Sequence, residues 1–258
     1  MNLSHALKSI YVIWYREFLH YWRDRVRVAA SIMMPIGFLV FGSGLSSIVG
    51  NLASGVFGPE VNFLQFLFPG VLGLSVFFVS IFSGVSVIWD REFGFLKEVL
   101  VAPIPRWSVA VGRALGGSTV AVMQGTIILL VAPLIGVKFG LVQLFFAFII
   151  MFMIAFSMTS FGILIATRMR THEGFQVVVN FLLLPMFFLS GAMFPTGKGL
   201  PVWMQVLVRI DPLSYGVDAL RQTLVGLKVF PIWLDLGIVF CFGTVALALG
   251  VWYFERTE

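Results

Sequence analysis

The residues that could do chemistry are few in this chain, and their spacing excludes most catalytic reactions. The single cysteine, Cys241, lies in an apolar run, and the three histidines are scattered without the spacing of metal ligands. Residues 112–119 have the glycines and the final Ser-Thr pair of a phosphate-binding loop, but they lack its lysine and a preceding strand. We therefore expect no catalytic residue, no metal site and no nucleotide or other cofactor bound by this chain.

A short charged segment, residues 89–113, lies between uncharged stretches that are each long enough to cross a bilayer. Its apolar and charged residues follow helical spacing over 91–101, and two prolines then end the pattern. Such a helix can insert an apolar edge into the groove of a soluble partner while its charges set the docking register. From the pattern alone, a bare helix on the membrane surface remains the alternative. The residues predicted to make the contact are Glu92, Phe93, Leu96, Glu98 and Leu100.

The composition is that of a membrane protein. Of the 258 residues, 59% are hydrophobic and only 11% are charged, which leaves too little polar surface for a soluble domain of this length. Lys and Arg outnumber Asp and Glu by 17 to 12. In a membrane protein this excess reports topology and contact with anionic lipid headgroups, so we expect lipid contacts and no nucleic acid binding.

Six runs without a charged residue are long enough to cross the hydrocarbon core, since roughly 20 apolar residues span it as a helix. The predicted fold class is therefore an all-α polytopic membrane protein, with a single multi-pass transmembrane domain over residues 1–258. The predicted spans are residues 28–48, 63–89, 114–136, 141–167, 175–195 and 234–254.

The distribution of basic residues predicts that both termini face the cytoplasm. In this N-in/C-in orientation the inner segments hold 12 of the 17 Lys and Arg residues, and five remain outside. The uncharged runs that form the span interiors carry no Asp, Glu, Lys or Arg, and the last of these runs begins at Leu236. An ion-coupled transporter usually needs an ionisable group at that depth, so the pattern argues against one.

Two shorter elements are predicted outside the spans. Residues 3–25 have aromatic residues at three-to-four spacing, which favours an amphipathic helix in the inner interface, with an extension of the first span as the alternative. Residues 199–228 are too interrupted to span and too apolar for a plain loop, so we predict two short helices that re-enter the outer leaflet. On the second of them, Asp218 and Arg221 are three residues apart and are placed to pair.

Small residues recur at the spacing of close helix contacts in lipid. The pairs are Gly112 with Gly116, Ser80 with Gly84, and Gly162 with Ala166. Packing within the chain and packing between two protomers both fit these pairs.

Taken together, the motifs resemble the ABC-2 type permease family, the membrane subunits of ATP-binding-cassette exporters. The resemblance extends over nearly the whole chain, and its strength lies in the order and spacing of the motifs. They are YREFLHYWRDRVR (15–27), Phe68-Pro69-Gly70, DREFGFLKEVL (90–100) with Pro103 and Arg106, Leu189-Ser190-Gly191, Phe194-Pro195, and Asp211-Pro212-Leu213-Ser214-Tyr215 with Asp218 and Arg221.

This resemblance implies partners and roles. The segment 91–101 matches the coupling helix that sits in a cleft of a cytosolic ABC ATPase, and the N-terminal helix abuts the same subunit. Two ATPase copies would carry ATP and Mg²⁺, and a second permease chain, more readily an identical one than a different one, would complete the path. The N-terminal helix residues expected at the ATPase are Trp14, Arg16, Glu17 and Arg23, and those of the re-entrant region are Asp211, Tyr215, Asp218 and Arg221.

The expected function is export across a bacterial-type plasma (inner) membrane, with an amphiphilic substrate such as a drug, a lipid or a lipid-linked glycan. The chain would not be an enzyme by itself. Aromatic residues that fit an apolar route, or equally plain lipid-facing packing, are Phe77, Phe78, Phe148, Phe152, Phe187 and Phe188. Two rival interpretations remain: a membrane scaffold that recruits a soluble enzyme, and a stand-alone transporter or channel.

Overall fold

The computed structural model describes residues 3–57, 62–92, 105–169, 171–194 and 201–257, and this part of the chain is helical with short turns and no strand. The helices are α1 (Leu3–Arg23), α2 (Arg25–Phe57), α3 (Phe63–Ser83), α4 (Val85–Glu92), α5 (Arg106–Leu129), α6 (Leu141–Arg168), α7 (His172–Leu189), α8 (Val202–Ile210), α9 (Pro212–Val225) and α10 (Ile232–Thr257). A short 3-10 helix, Ala132–Ile135, follows α5.

Within the described residues, five helical stretches are long and apolar enough to cross a membrane, which makes the chain a multi-pass membrane protein by length and composition. They are Phe63–Glu92, Arg106–Ile135, Leu141–Arg168, His172–Leu189 and Ile232–Tyr253, and each overlaps a predicted span. The remaining predicted span, 28–48, lies in α2, whose described apolar stretch Ser31–Ser46 is shorter than these five. A sixth crossing therefore stays a prediction.

The fifth predicted span, 175–195, extends beyond the helix that the structure shows. Helix α7 ends at Leu189 with Ser190 as its cap. Gly191 follows with φ of +70°, a left-handed conformation that glycine adopts without steric cost and that ends a helix. The turn brings the Gly191 carbonyl towards Arg221 of α9.

The N-terminal helix is separate from α2, as the amphipathic pattern predicts. Asp24 interrupts the two helices, and α1 packs along α5 instead of extending α2. Side chains on one face of α1, among them Ala6 and Tyr21, are buried, whereas Tyr11 and Trp22 on the other face are 60% and 63% exposed. This split is the amphipathic division that the sequence predicts.

Glycines let the central helices touch at the backbone. A Cβ on Gly84, which links α3 and α4, would lie 2.6 Å from the carbonyl of Gly162 on α6. A Cβ on Gly162 would in turn lie 2.5 Å from the Ile81 carbonyl oxygen. Two of the small-residue pairs therefore serve packing within this chain, where the sequence had left packing between protomers open.

The segment after α7 forms two short helices, α8 and α9, as predicted. The Asp211 side chain accepts a 3.0 Å hydrogen bond from the Leu213 N–H, and Pro212 occupies the first position of α9, where its missing donor costs nothing. Gly226 ends α9 with φ of +80°. Helix α9 packs on α3, α6 and α10, which buries most of its length.

Candidate functional site

Helix α1 lies against α5 through two glycines. A Cβ on Gly112 would lie 3.0 Å from Ile13 Cβ, and one on Gly116 would lie 2.7 Å from Glu17 Cβ. One turn further along, Trp14 Nε1 donates a 2.9 Å hydrogen bond to Thr119 Oγ1. The third small-residue pair is therefore also used within the chain, and it fixes α1 to a helix that crosses the membrane.

At the end of α4, Asp90 joins three helices. Its carboxylate accepts hydrogen bonds from Arg16 of α1 at 2.6 Å and from Arg113 of α5 at 2.5 Å, and Arg16 also pairs with Glu17 at 3.0 Å. We call Arg16, Glu17, Asp90 and Arg113 the Asp90 network. Charge-assisted hydrogen bonds of this kind are about twice as strong as neutral ones.

Burial makes the network costly to break. The Arg113 side chain is only 3% exposed and Asp90 is 16% exposed, so neither charge is well solvated apart from the other. Burial by itself lowers the pKa of Arg16, but its hydrogen bond to Asp90 and the charges of Glu17 and Asp90 outweigh this and raise that pKa above its usual value. Arg16 thus stays charged beside the Asp90 carboxylate.

The residues on either side of Asp90 contact two further helices. Arg91 donates a 2.8 Å hydrogen bond to the Met169 carbonyl at the end of α6. The Trp89 ring lies 6.0 Å from the imidazole of His172, the first residue of α7. Three consecutive residues of α4 therefore connect to α1, α5, α6 and α7.

The docking helix predicted over 91–101 begins at this point. Phe93, Leu96, Glu98 and Leu100 lie outside the described residues. Glu92 is the last residue of α4 and is exposed. The prediction that these five side chains contact a partner therefore stays a prediction.

The predicted interface residues of α1 divide between two faces. Trp14, Arg16 and Glu17 take part in the contacts with α4 and α5 described above. Arg23, in the last turn of α1, is exposed. The first three thus hold α1 against the bundle, and Arg23 is on the accessible surface.

A second polar group surrounds Arg221 on α9. This side chain is 3% exposed, donates a 2.7 Å hydrogen bond to the Gly191 carbonyl and places its guanidinium 4.0 Å from the centre of the Phe66 ring. Burial lowers the pKa of Arg221 to about 10, and the charge of Asp218 opposes this. Arg221 thus stays charged at neutral pH and ties the turn after α7 to α3 and α9.

Asp218 and Arg221 do not form the direct pair that the sequence suggested. The Asp218 carboxylate instead accepts hydrogen bonds from the Val229 N–H at 3.0 Å and the Phe230 N–H at 2.8 Å. It therefore caps the turn between α9 and α10, where those N–H groups have no helical acceptor. Burial raises the pKa of Asp218, against these hydrogen bonds and the charge of Arg221.

The other residues of the predicted re-entrant region also stabilise turns. Asp211 is 5% exposed, and burial raises its pKa to about 7 despite hydrogen bonds from Leu213 and Ser214. Ser214 Oγ lies 3.0 Å from the Leu189 carbonyl oxygen, and Tyr215 donates a 2.8 Å hydrogen bond to the Arg209 carbonyl. These contacts join α8 and α9 to the end of α7.

The structure brings together four of the six aromatic residues predicted for a substrate route. The rings of Phe77 and Phe78 are 5.5 Å apart, Phe78 and Phe187 are 6.4 Å apart, and Phe187 and Phe188 are 5.0 Å apart. Phe148 and Phe152 lie on α6, apart from this chain of rings. Phe152 stacks on Phe156 and is 41% exposed.

Sequence reasoning missed several buried polar residues. Asp90 and Arg113 counted only as charges of a cytoplasmic segment, and Gln124 was not singled out. Asp235 in the first turn of α10 is fully buried, and its carboxylate oxygens have no hydrogen-bond partner among the described residues. Gly112, Arg113, Gly116 and Thr119 recur every three to four residues and so share one face of α5. This spacing was the signal that another helix packs on that face.

Among the described residues, no group of three or more His, Cys, Asp and Glu side chains is arranged to hold a metal ion. The Asp90 network forms ion pairs between helices. Arg221 connects the turn after α7 to α3 through a hydrogen bond and a cation–π contact. Both arrangements suit the positioning and movement of helices.

Known membrane transport proteins are similar in sequence to this chain. The family model of the ABC-2 type transporter matches residues 8–225. The putative transport permease ycf38 of Cyanophora paradoxa is 30% identical over 217 residues, which are 83% of this chain and 73% of that protein. The inner membrane transport permease YadH of Escherichia coli (strain K12) is 25% identical over 248 residues, 96% and 93% of the two chains. The probable multidrug ABC transporter permease YbhR of the same strain is 28% identical over 173 residues, 64% and 45% of the two chains.

The helical bundle and these matches define a multi-pass membrane permease. The chain belongs to the ABC-2 type transporter family. Membership implies association with a separate ABC ATPase subunit, and the names of the relatives as transport permeases indicate a membrane subunit.

Proposed function

We propose that this chain is the permease half of an exporter in a bacterial-type plasma membrane and that it is moved by two cytosolic ATPase subunits. The contacts of Trp89, Asp90 and Arg91 carry this proposal. These residues lie just before and at the start of the segment, residues 91–101, that resembles the coupling helix. A displacement of that segment would pull on four helices at once, which is how rigid-body rocking of a bundle begins.

The positions of several arginines support the orientation in which both termini face the cytoplasm. Arg16, Arg91 and Arg113 gather around the end of α4, and Arg168 at the end of α6 stacks on Tyr253 near the end of α10 at 3.8 Å. A concentration of arginines at one end supports a cytoplasmic location for it. With α1 at the same end, the N-in/C-in orientation and an interfacial position of α1 go together.

Exposed apolar stripes on two helices support the proposal that a second permease chain binds this one. On α7, Val177, Phe181, Leu184 and Phe188 recur at helical spacing and are 51–82% exposed. On α2, Met33, Val40 and Phe41 are 64–73% exposed. Lipid or an identical chain would cover these stripes. We favour a homodimer in which the substrate path lies between the two chains.

The cargo that suits this path is an amphiphile, such as a drug, a lipid or a lipid-linked glycan. Phe78 and Phe188, which are at least partly exposed, offer an apolar surface on α3 and α7, and the buried rings of Phe77 and Phe187 pack behind them. The two helices α8 and α9, tied by Asp211 and Arg221, would re-enter the outer leaflet and close the far end.

Co-purification tests the proposal. The tagged chain is extracted from native membranes in mild detergent, and the eluate is assayed for ATP hydrolysis. We expect a soluble P-loop ATPase in about one-to-one ratio, lost when Phe93→Ala and Glu98→Lys are combined, and retained in the control Lys228→Gln. Retention of the ATPase by the double variant would remove the assigned docking role, and absence of any ATPase would favour the scaffold or channel alternatives.

A further inference from the structure

A cavity of about 280 Å³ lies between α1, α2 and α3. This volume is close to the lower limit of ligand pockets, which are roughly 300–1,000 Å³. Most of its wall is apolar, formed by Met34 and Pro35 of α2 and by Phe78, Val79 and Phe82 of α3. Water would find few hydrogen-bond partners along that wall, so the shape and chemistry suit an apolar group.

Hydroxyl groups interrupt this apolar wall. Tyr21, Ser31 and Ser75 also line the cavity. The Tyr21 hydroxyl donates a 2.8 Å hydrogen bond to Gln124 Oε1, and Ser31 Oγ lies 3.0 Å from the same oxygen. These contacts fix the Gln124 amide of α5 directly behind the cavity wall.

Two of the polar side chains here keep hydrogen-bonding capacity that the protein does not use. Gln124 is fully buried and its amide nitrogen has no partner, and Ser75 is 3% exposed and its hydroxyl has no partner. Buried polar groups are normally paired. Ser75 lines the cavity, so its unpaired hydroxyl points to a partner from elsewhere, whereas Gln124 lies behind the lining residues. A Cβ on Gly125 would lie 2.8 Å from Val76 Cγ2, which places Gln124 and Ser75 at the same level of the bundle.

We propose that this cavity binds an uncharged amphiphile. Its apolar body would lie against Pro35 and Phe78, and its hydroxyl or carbonyl group would meet Ser75, with the Gln124 amide beside it. Among the described residues that line the cavity none is charged, so these residues offer no counter-ion to a charged headgroup. The assignment of this amphiphile as cargo rests on the proposed function, whereas its binding does not.

The probe is a monoacylglycerol with a diazirine in its acyl chain, used on the purified chain in phosphatidylcholine nanodiscs. We expect saturable labelling of peptides from α2 and α3. Ser75→Ala removes a hydroxyl that has no protein partner, so the fold is kept, and we expect half-saturation at roughly fivefold higher probe concentration. Val79→Trp, which fills the cavity, should abolish saturable labelling.

The matched control is Ser160→Ala, a buried serine of α6 that does not line the cavity. It should label as wild type. The same probe with a carboxylate in place of glycerol, used at a pH at which it is ionised, should not saturate the site. Equal labelling of wild type and Val79→Trp, or equal labelling by the carboxylate probe, would overturn the proposal.

A second arm identifies the source of the ligand. If monoacylglycerol stimulates ATP hydrolysis by the co-purified complex, and Val79→Trp loses the stimulation, the site takes cargo. If binding occurs without stimulation, the cargo role is wrong and the site holds a resident membrane lipid. A chain that binds the probe but recovers no ATPase would contradict the proposed function while the binding site stands.

Discussion

Arg113 donates a 2.5 Å hydrogen bond to Asp90, a residue 23 positions earlier in the chain and on a different helix. The arginine is almost fully buried, and the same carboxylate accepts from Arg16 of α1. A shared carboxylate holds three helices in one register, because moving any of them separates a buried charge from its partner. These two ion pairs connect the end of α4 to α1 and α5, so a displacement of α4 is transmitted to both helices.

Asp90→Asn should lower stability. It leaves the buried Arg113 without its carboxylate, and the loss of one partner of a buried pair costs roughly 3 kcal/mol in the free energy of unfolding. The measurement is denaturant unfolding in detergent followed by tryptophan fluorescence. Glu173→Gln, which removes an exposed carboxylate from α7, is the control and should unfold as wild type. Equal stability of the two variants would show that the Asp90 network does not hold the helices.

Gly116→Ala should weaken the docking of α1. The added methyl would lie 2.7 Å from Glu17 Cβ, and overpacking of this kind costs roughly 1–3 kcal/mol. Gly237→Ala on α10 is the matched control, because nothing lies within 4 Å of its added methyl. Hydrogen exchange should show α1 less protected in Gly116→Ala only. Unchanged protection of α1 would mean that close glycine contact is not what fixes this helix.

The stability of the α8–α9 turn should depend on pH through Asp211. Burial raises its pKa to about 7, above the ordinary value of 3.8. Between those values the unfolded carboxyl is ionised while the folded one still binds a proton, so stability falls as pH rises from 4 to 7, by at most roughly 1.4 kcal/mol per unit. Asp211→Asn keeps the acceptor for the Leu213 N–H and should flatten this decline. If the free energy of unfolding changes with pH in the same way in variant and wild type from pH 5 to 8, Asp211 does not cause the decline.

Arg221 and Phe66 should be energetically coupled. The guanidinium lies 4.0 Å from the ring centre, and a desolvated cation–π contact contributes about 1–2 kcal/mol. Lysine lacks the planar group that stacks on a ring, so Arg221→Lys removes the stacking on Phe66 and keeps the charge. A double-mutant cycle with Phe66→Leu, measured by unfolding, should give a coupling energy of about 1 kcal/mol. If the effects of the two substitutions are additive, the ring contact contributes nothing, and Arg221 acts only through its hydrogen bond to Gly191.

The sequence predicts helix ends well where a single residue type, such as proline or glycine, determines them. Asp211 followed by Pro212 ends one short helix and begins the next, and Gly226 ends the second, because each residue fixes the backbone or its hydrogen bonds locally. The separation of α1 from α2 also follows from the amphipathic pattern. The position of α1 relative to the bilayer does not, because it depends on lipid.

Partners across the bundle could not be predicted. Arg113 reads as a cytoplasmic charge, and only the tertiary structure shows that it faces Asp90 in a buried site. The proximity of Asp218 to Arg221 along one helix suggested a pair. The turn before α10 instead presents two N–H donors that have no helical acceptor, and the Asp218 carboxylate accepts hydrogen bonds from both. Gln124 and Ser75 are ordinary residues in apolar runs, and their unused hydrogen bonds depend on neighbours from other helices.

The most direct measurement of transmission through the end of α4 is ATP turnover by the co-purified complex with Arg16→Gln. Arg16 is one-third exposed, so the variant should fold and retain the ATPase in wild-type ratio. We predict that turnover falls several-fold, because α1 is then released from Asp90. Lys8→Gln, which removes an exposed charge from the same helix, should keep wild-type turnover. Equal turnover in the two variants would contradict a role for the Asp90 network in coupling.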